Sequence, residues 1–289
     1  LAVVKIKSLS KEIQKQLVLN DWTIDFESAT ISAFCTNKPE SVSTLFQLLL
    51  GKEKEARKTI SLDGLDAYKD RKQTSPQIGY QNETTQLTKH GDVQQLLTST
   101  IKKNSNALKL EPAEKIVRQF NIDLKSKLAD LSDGVKRQLE IILLTVQKLP
   151  LILLEQPTQN MDVKQATQTW QLLHDYATKT KSTVMFISND FKEMQQNADR
   201  IIYVKNGRIT NQRELPTHDS IDSTVTITGT GFPIDLAQTL GATIIEEAPR
   251  ETKLVFSGTI QVLLPLLEQT GITDVRIVDA MIEDELMIY

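Results

Sequence analysis

Apolar positions recur along the chain at two spacings, and the switches between them predict the elements. Residues 3–7 and 17–26 read as strands, the second with Trp22, Ile24 and Phe26 alternating with Thr23 and Asp25. A short apolar run follows (Ile31, Ala33, Phe34), then a polar loop, then an apolar helix that stops at Gly51. Residues 59–64 and 77–80 read as short strands. From 87 to 128 the spacing turns helical, with Val93, Leu96 and Leu97, then Ile116, Val117 and Phe120, as stripes. The unbroken apolar run 151–154 reads as a buried parallel strand, and 182–188 as another, with a helix over 163–177 between them. Residues 198–209 predict a hairpin turned on Asn206-Gly207.

A polar stretch, 211–222, interrupts this pattern. Beyond it come a strand (224–228), a helix (233–240), a strand pair (242–247 and 253–257), a helix over 260–269 ending at Gly271, a strand (275–278) and a tail helix over 282–289. The order βαββαβ with a tail helix suggests a small α+β, ferredoxin-like domain over 217–289.

Composition changes this picture little. With 289 residues, 25% charged and 39% hydrophobic, the chain has the make-up of a globular protein. A net charge of −3 argues against nucleic acid or an anionic membrane surface as the main partner. Cys35 is the only cysteine, which excludes an internal disulfide framework; after Phe34 at a strand end it reads as a core residue. His90, His174 and His218 lie far apart without metal-ligand spacing, so no metal site is expected. No signal peptide is visible at Leu1, and the longest apolar stretch, 141–154, is broken by Gln147, Lys148 and Pro150. A role at a membrane therefore needs other subunits to supply the membrane part.

The candidate chemistry starts at the strand–loop–helix of residues 30–51, the layout in which backbone N–H groups and a helix N-terminus face a phosphate. It resembles the Walker A region of ABC-transporter ATPases, GxxGxGK[ST]TL. Ser43-Thr44-Leu45 fit the end of that pattern, Val42 stands at the lysine, and Ser41, Pro39 and Thr36 at the three glycines. Pro39 has no N–H and a fixed φ. Val42 forfeits a charge-assisted contact of roughly 1.5–3 kcal/mol. Glu40, at ~5 Å from a phosphate charge and an effective dielectric near ~20, adds repulsion on the order of 3 kcal/mol. Ser43 matches the Mg²⁺-ligating hydroxyl position, and without phosphates it is expected to cap the helix that follows.

Further remnants follow in family order. After Leu9-Ser10-Lys11, Ile13 stands where the family stacks an aromatic residue on adenine. Ile78-Gly79-Tyr80 resembles "IGYxxQ", with Glu83 in place of the glutamine; it also reads as an exposed loop residue. Leu131, Ser132 and Gly134 fit the signature LSGGxxxR, with Asp133 replacing a glycine, Gln138 the arginine and Arg137 one residue early. Ser132 and Asp133 equally read as the start of a helix. Residues 149–158 resemble Walker B, with Glu155 for the Mg²⁺-organising aspartate and Gln156 for the catalytic glutamate; an amide cannot serve as the general base. Asp162 sits at the D-loop aspartate, Asn189 replaces the switch histidine, and residues 198–209 resemble the closing "ADRIxxLxxGRI". The tail 280–286 is similar to the "SLEDVFL" ending of the drug and bacitracin exporter branch.

The resemblance implies an α/β fold: a P-loop NTPase core over 1–210 with a helical subdomain at about 84–130, followed by the ferredoxin-like domain. It implies a cytoplasmic subunit, peripheral at the inner face of the cell membrane. Such a subunit dimerises beneath ABC membrane-spanning subunits so that each ATP lies between one subunit's Walker elements and the other's signature. The altered positions point to a degenerate, non-hydrolysing subunit paired with an active ATPase in a heterodimer (a homodimer being the variant), with no cofactor expected. The rival reading is an exporter ATPase that still binds ATP/Mg²⁺ or hydrolyses it slowly. A small-molecule sensor in the C-terminal domain is a further reading, by fold analogy alone.

Overall fold

In the computed structural model, residues 2–54, 59–84, 87, 90–215, 222–268 and 270–289 are described. Their contacts group them into two units: 1–33, 39–187 and 206–208 in the first, and 34–38, 188–205 and 209–289 in the second.

The first unit opens on a long hairpin, β1 (Ala2–Ile13) and β2 (Gln16–Glu27), turned by Gln14 and Lys15, both with positive φ as a two-residue hairpin turn requires. After β3 (Ile31–Cys35) and α1 (Glu40–Leu49) come β4 (Ile60–Leu62) and β5 (Leu65–Asp66), which extend that hairpin into a sheet of order β2-β1-β4-β5. The short α2 (Arg71–Thr74) leads to β6 (Ile78–Gln81). Then follow α3 (Val93–Lys103), α4 (Leu110–Gln119), α5 (Asp133–Val146), β7 (Leu151–Glu155), α6 (Val163–Thr180) and β8 (Thr183–Ile187). β6, β7 and β8 run parallel in that order, with β3 next to β8. All five residues of β7 are buried, and so are all five of β8. That matches their unbroken apolar runs, since a parallel strand is covered on both faces. The predicted helical segment packs Val93, Leu97, Ala113 and Val117 against Leu139, Ile142 and Val146 of α5, so it has a small core of its own.

The second unit holds α7 (Phe191–Asn197), β9 (Arg200–Lys205), β10 (Arg208–Glu214), β11 (Ser223–Gly229), α8 (Ile234–Thr239), β12 (Ala242–Ala248) and β13 (Glu251–Phe256). It ends with α9 (Leu264–Leu267), β14 (Ile272–Asp279) and α10 (Ile282–Ile288). The strands after residue 222 form one antiparallel sheet of order β12-β13-β11-β14, the ferredoxin-like arrangement. Val225 faces Leu254 on one side and Ile277 on the other, and Leu254 packs with Ala237, Leu263 and Leu266 in the core beneath. Asn206 and Gly207 both take positive φ, as the Asn-Gly turn predicts.

Two local expectations are corrected. The helix expected over 260–269 is a 3-10 turn (Ile260–Val262) followed by one turn of α9, because Pro265 is tolerated in the first turn of a helix and not in its interior. Ser43 does not cap α1. That helix begins at Glu40 with Pro39 in the cap position, so Ser43 lies within it. The expected boundary at residue 217, and His218, lie outside the described residues.

Candidate functional site

Strand β3 delivers the chain to Thr36, whose hydroxyl oxygen accepts the Lys38 N–H at 3.0 Å and closes a tight turn. Pro39 is already right-handed helical (φ −59°, ψ −23°). Its carbonyl accepts the N–H groups of both Val42 and Ser43 at 3.0 Å, so these donors are spent inside the helix. Ser41 and Val42 are buried, Ser43 is half-buried, and the Thr44 hydroxyl donates to the Glu40 carbonyl at 2.7 Å. The side chain at the lysine position thus belongs to the core. Pro39 and Glu40 are exposed.

At the C-terminal end of β7, Glu155 is buried and its two carboxylate oxygens have different donors. The Tyr80 hydroxyl donates to Oε1 at 3.0 Å, and the Glu83 N–H donates to Oε2 at 3.3 Å. Gln47 of α1 donates from Nε2 to the Tyr80 oxygen at 3.2 Å. Burial and the adjacent Glu155 carboxylate push the Tyr80 phenol well above its ordinary range, which keeps it a donor. The Tyr80 ring meets Phe46 edge to face at 6.4 Å between centroids, with the Lys52 ammonium 5.4 Å from its centre.

Gln156, beside it, takes φ +51° and donates its N–H to the Ile187 carbonyl at 2.8 Å. Its own carbonyl accepts Arg137 Nε at 2.6 Å. Arg137 is 2% exposed, and its guanidinium also donates to the carbonyls of Glu83 (2.8 Å), Asn82 (3.1 Å) and Glu155. One buried fork thus ties α5 to the loop after β6 and to the end of β7. In the sequence Arg137 stands only one residue before the position where the signature pattern has its arginine. Its spacing to the apolar Ile141 and Leu144, four and seven residues on, was the signal that it shares their helix face.

The residues that resemble the signature and the D-loop form a second cluster. Ser132 caps α5, its hydroxyl oxygen accepting the Val135 N–H at 3.4 Å, and Asp133 pairs with Lys136 at 3.8 Å. A Cβ on Gly134 would collide with the carbonyl oxygen of Asn160. Asp162 caps α6 in a reciprocal box with Gln165: Asp162 Oδ1 accepts the Gln165 N–H at 2.8 Å, and Gln165 Oε1 accepts the Asp162 N–H at 3.1 Å. Gln138, at the family's arginine position, donates to the Gln165 carbonyl at 3.2 Å and to Thr169 at 3.1 Å. Leu131 packs, half-buried, against the helical core.

Glu83, Glu155 and Gln156 are therefore brought together through Tyr80 and Arg137, and Gly134 meets the segment leading to Asp162. Ile13 ends β1 opposite Gln16 at the tip of its hairpin, 37% exposed. In the second unit, Asn189 is exposed between Ser188, whose hydroxyl bonds the Glu193 carboxylate, and Asp190, which caps α7. Cys35 is buried, and burial pushes its thiol up, as suits an inert core residue. Among the described residues no group of three or more His, Cys, Asp or Glu is placed to hold a metal ion. No helix among them is long and apolar enough to cross a membrane.

Residues 42–159 match the family model described as "ABC transporter". The ABC transporter ATP-binding protein YtrB of Bacillus subtilis is 22% identical over 213 residues, covering 74% of this chain and 72% of YtrB. The sulfate/thiosulfate import ATP-binding protein CysA of Mesorhizobium japonicum is 24% identical over 230 residues, covering 76% of this chain and 65% of that protein. Among solved structures, the ATP-binding subunit of an ABC transporter superposes with a TM-score of 0.67 at 20% identity, covering 74% of this chain and 90% of that one.

Proposed function

We propose that the chain, which matches the ABC transporter family model over residues 42–159 and has the fold of ABC ATP-binding cassettes, acts as a degenerate, non-hydrolysing nucleotide-binding subunit. The observation that carries this reading is Glu155. Both oxygens of the carboxylate that would organise Mg²⁺ are engaged by protein donors, Tyr80 and the Glu83 N–H. Around it Val42 is in the core, the Val42 and Ser43 N–H groups are bonded to Pro39, and Gln156 offers no base. These residues do not fit a magnesium–ATP group, and no catalytic step is assigned to them.

On this reading the chain works in export with ABC membrane-spanning subunits and an active ATPase partner, at the inner face of the cell membrane. The tail 280–286 supports export, and relatives such as CysA, named for import, make direction the property to measure. Steady-state phosphate release by the isolated chain should stay at background. Release that disappears on changing Ser43 or Gln156 overturns the reading. In the reconstituted complex, Ser132→Arg should obstruct a site completed for the partner. Unchanged ATP turnover by the partner would leave Ser132 with its cap alone.

A further inference from the structure

We infer that Arg137, with Tyr80 and Glu155, forms a ligand-independent latch, built from protein donors and acceptors alone, that holds the loop after β6 and the Gln156 backbone in place. The inference rests on the reading of the site as non-hydrolysing and goes beyond it, since an inert site need not be a rigid one.

Two independent sets of bonds meet on the same loop. From one side, Tyr80 and the Glu83 N–H grip the two oxygens of Glu155, and Gln47 steadies the Tyr80 hydroxyl from α1. From the other, the Arg137 guanidinium reaches four consecutive-pair carbonyls, Asn82 with Glu83 and Glu155 with Gln156. A planar fork with donors on three nitrogens can satisfy such a spread of acceptors at once, and an ammonium cannot. The helix that supplies the fork is the one capped by Ser132, so the signature helix is fixed to the Glu83 loop through a single side chain. The left-handed φ of Gln156 fits this: the conformation is uncommon for a non-glycine residue and needs surrounding bonds to persist. Its N–H is held by Ile187 and its carbonyl by Arg137. Arg137 is thus a positioning residue that touches no reacting group.

The test is hydrogen–deuterium exchange on the full chain, read at residues 82–84 and 156–159 and, as an internal control, at β7 and β8. Arg137→Lys keeps the charge and loses the fork. It should speed exchange in both loops at least tenfold while the β7 and β8 amides stay protected. Tyr80→Phe removes one hydroxyl and keeps the ring, and it should speed exchange at 82–84; it carries the test alone if Arg137→Lys does not fold. Adding 1 mM Mg²⁺-ATP to the unchanged protein should leave loop exchange within twofold. Loop exchange unaltered in Tyr80→Phe, or loops of the unchanged protein that gain tenfold protection from Mg²⁺-ATP, overturns the latch. Phosphate release measured on the same samples tests the non-hydrolysing reading separately: release with loops that ignore Mg²⁺-ATP counts against that reading and leaves the latch standing.

Discussion

Val42 shows how one side chain can settle the chemistry of a loop. It is fully buried in the face that α1 turns to the core, so a lysine there would bring an ammonium into apolar packing. Burying an ion without a partner costs several kcal/mol, and Val42→Lys should lower unfolding stability by on the order of 3 kcal/mol. Urea denaturation measures this, and phosphate release by the same variant should remain at background because Gln156 is unchanged. In the second unit, Glu285 is buried with its Oε2 accepting the Tyr203 hydroxyl at 3.0 Å. Burial first, and the nearby Asp222 carboxylate second, push its carboxyl from 4.5 up to about 8. The folded state then holds a proton that the unfolded chain releases near 4.5, so this group makes stability fall as pH rises from about 4.5 to about 8. Glu285→Gln should flatten that decline and raise Tm at pH 8, which a thermal-unfolding series from pH 5 to 8 reads directly.

At the scale of elements, Gly134, which resembles a signature glycine, has a local reason to be there. Gly134 starts α5 against the Asn160 carbonyl, and a methyl group collides with backbone that cannot swing aside. Gly134→Ala should cost about 1–3 kcal/mol as overpacking, measurable by urea denaturation without any partner present. The two acidic caps, Asp92 on α3 and Asp162 on α6, close reciprocal boxes with a glutamine three residues on. Both satisfy N–H groups that the helix itself cannot.

For the whole molecule, the proposed boundary at 217 sets a test. The strands after 222 form a complete four-stranded sheet with its own core, so residues 217–289 alone should show folded β-rich circular dichroism. The tail helix is tied on both sides of that boundary, its Asp284 accepting from Thr224 and Lys253 within the fragment. Its Glu285 bonds Tyr203, while Arg213 holds Asp222, and both of those partners precede 217. In the isolated fragment α10 should therefore exchange its amides faster than in the full chain, while β11 and β13 keep their protection. A fragment without β structure would remove the boundary.

The sequence by itself determined most of the strands and helices and the order of the stretches that resemble ABC motifs along the chain. Those depend on local spacing: β7 and β8 are apolar runs buried on both faces, and Asn206-Gly207 takes the φ its turn demands. The βαββαβ order likewise foretold a sheet whose register brings Val225 between Leu254 and Ile277. Tertiary structure decided what the altered residues do. Nothing in the spacing of Tyr80, Arg137 and Glu155 shows that they meet, because hydrogen bonds between residues 18 to 75 positions apart are made by packing of β6, α5 and β7. Local pattern also placed Ser43 at a cap, whereas the fold started α1 at Glu40, since Pro39's fixed φ suits the beginning of a helix.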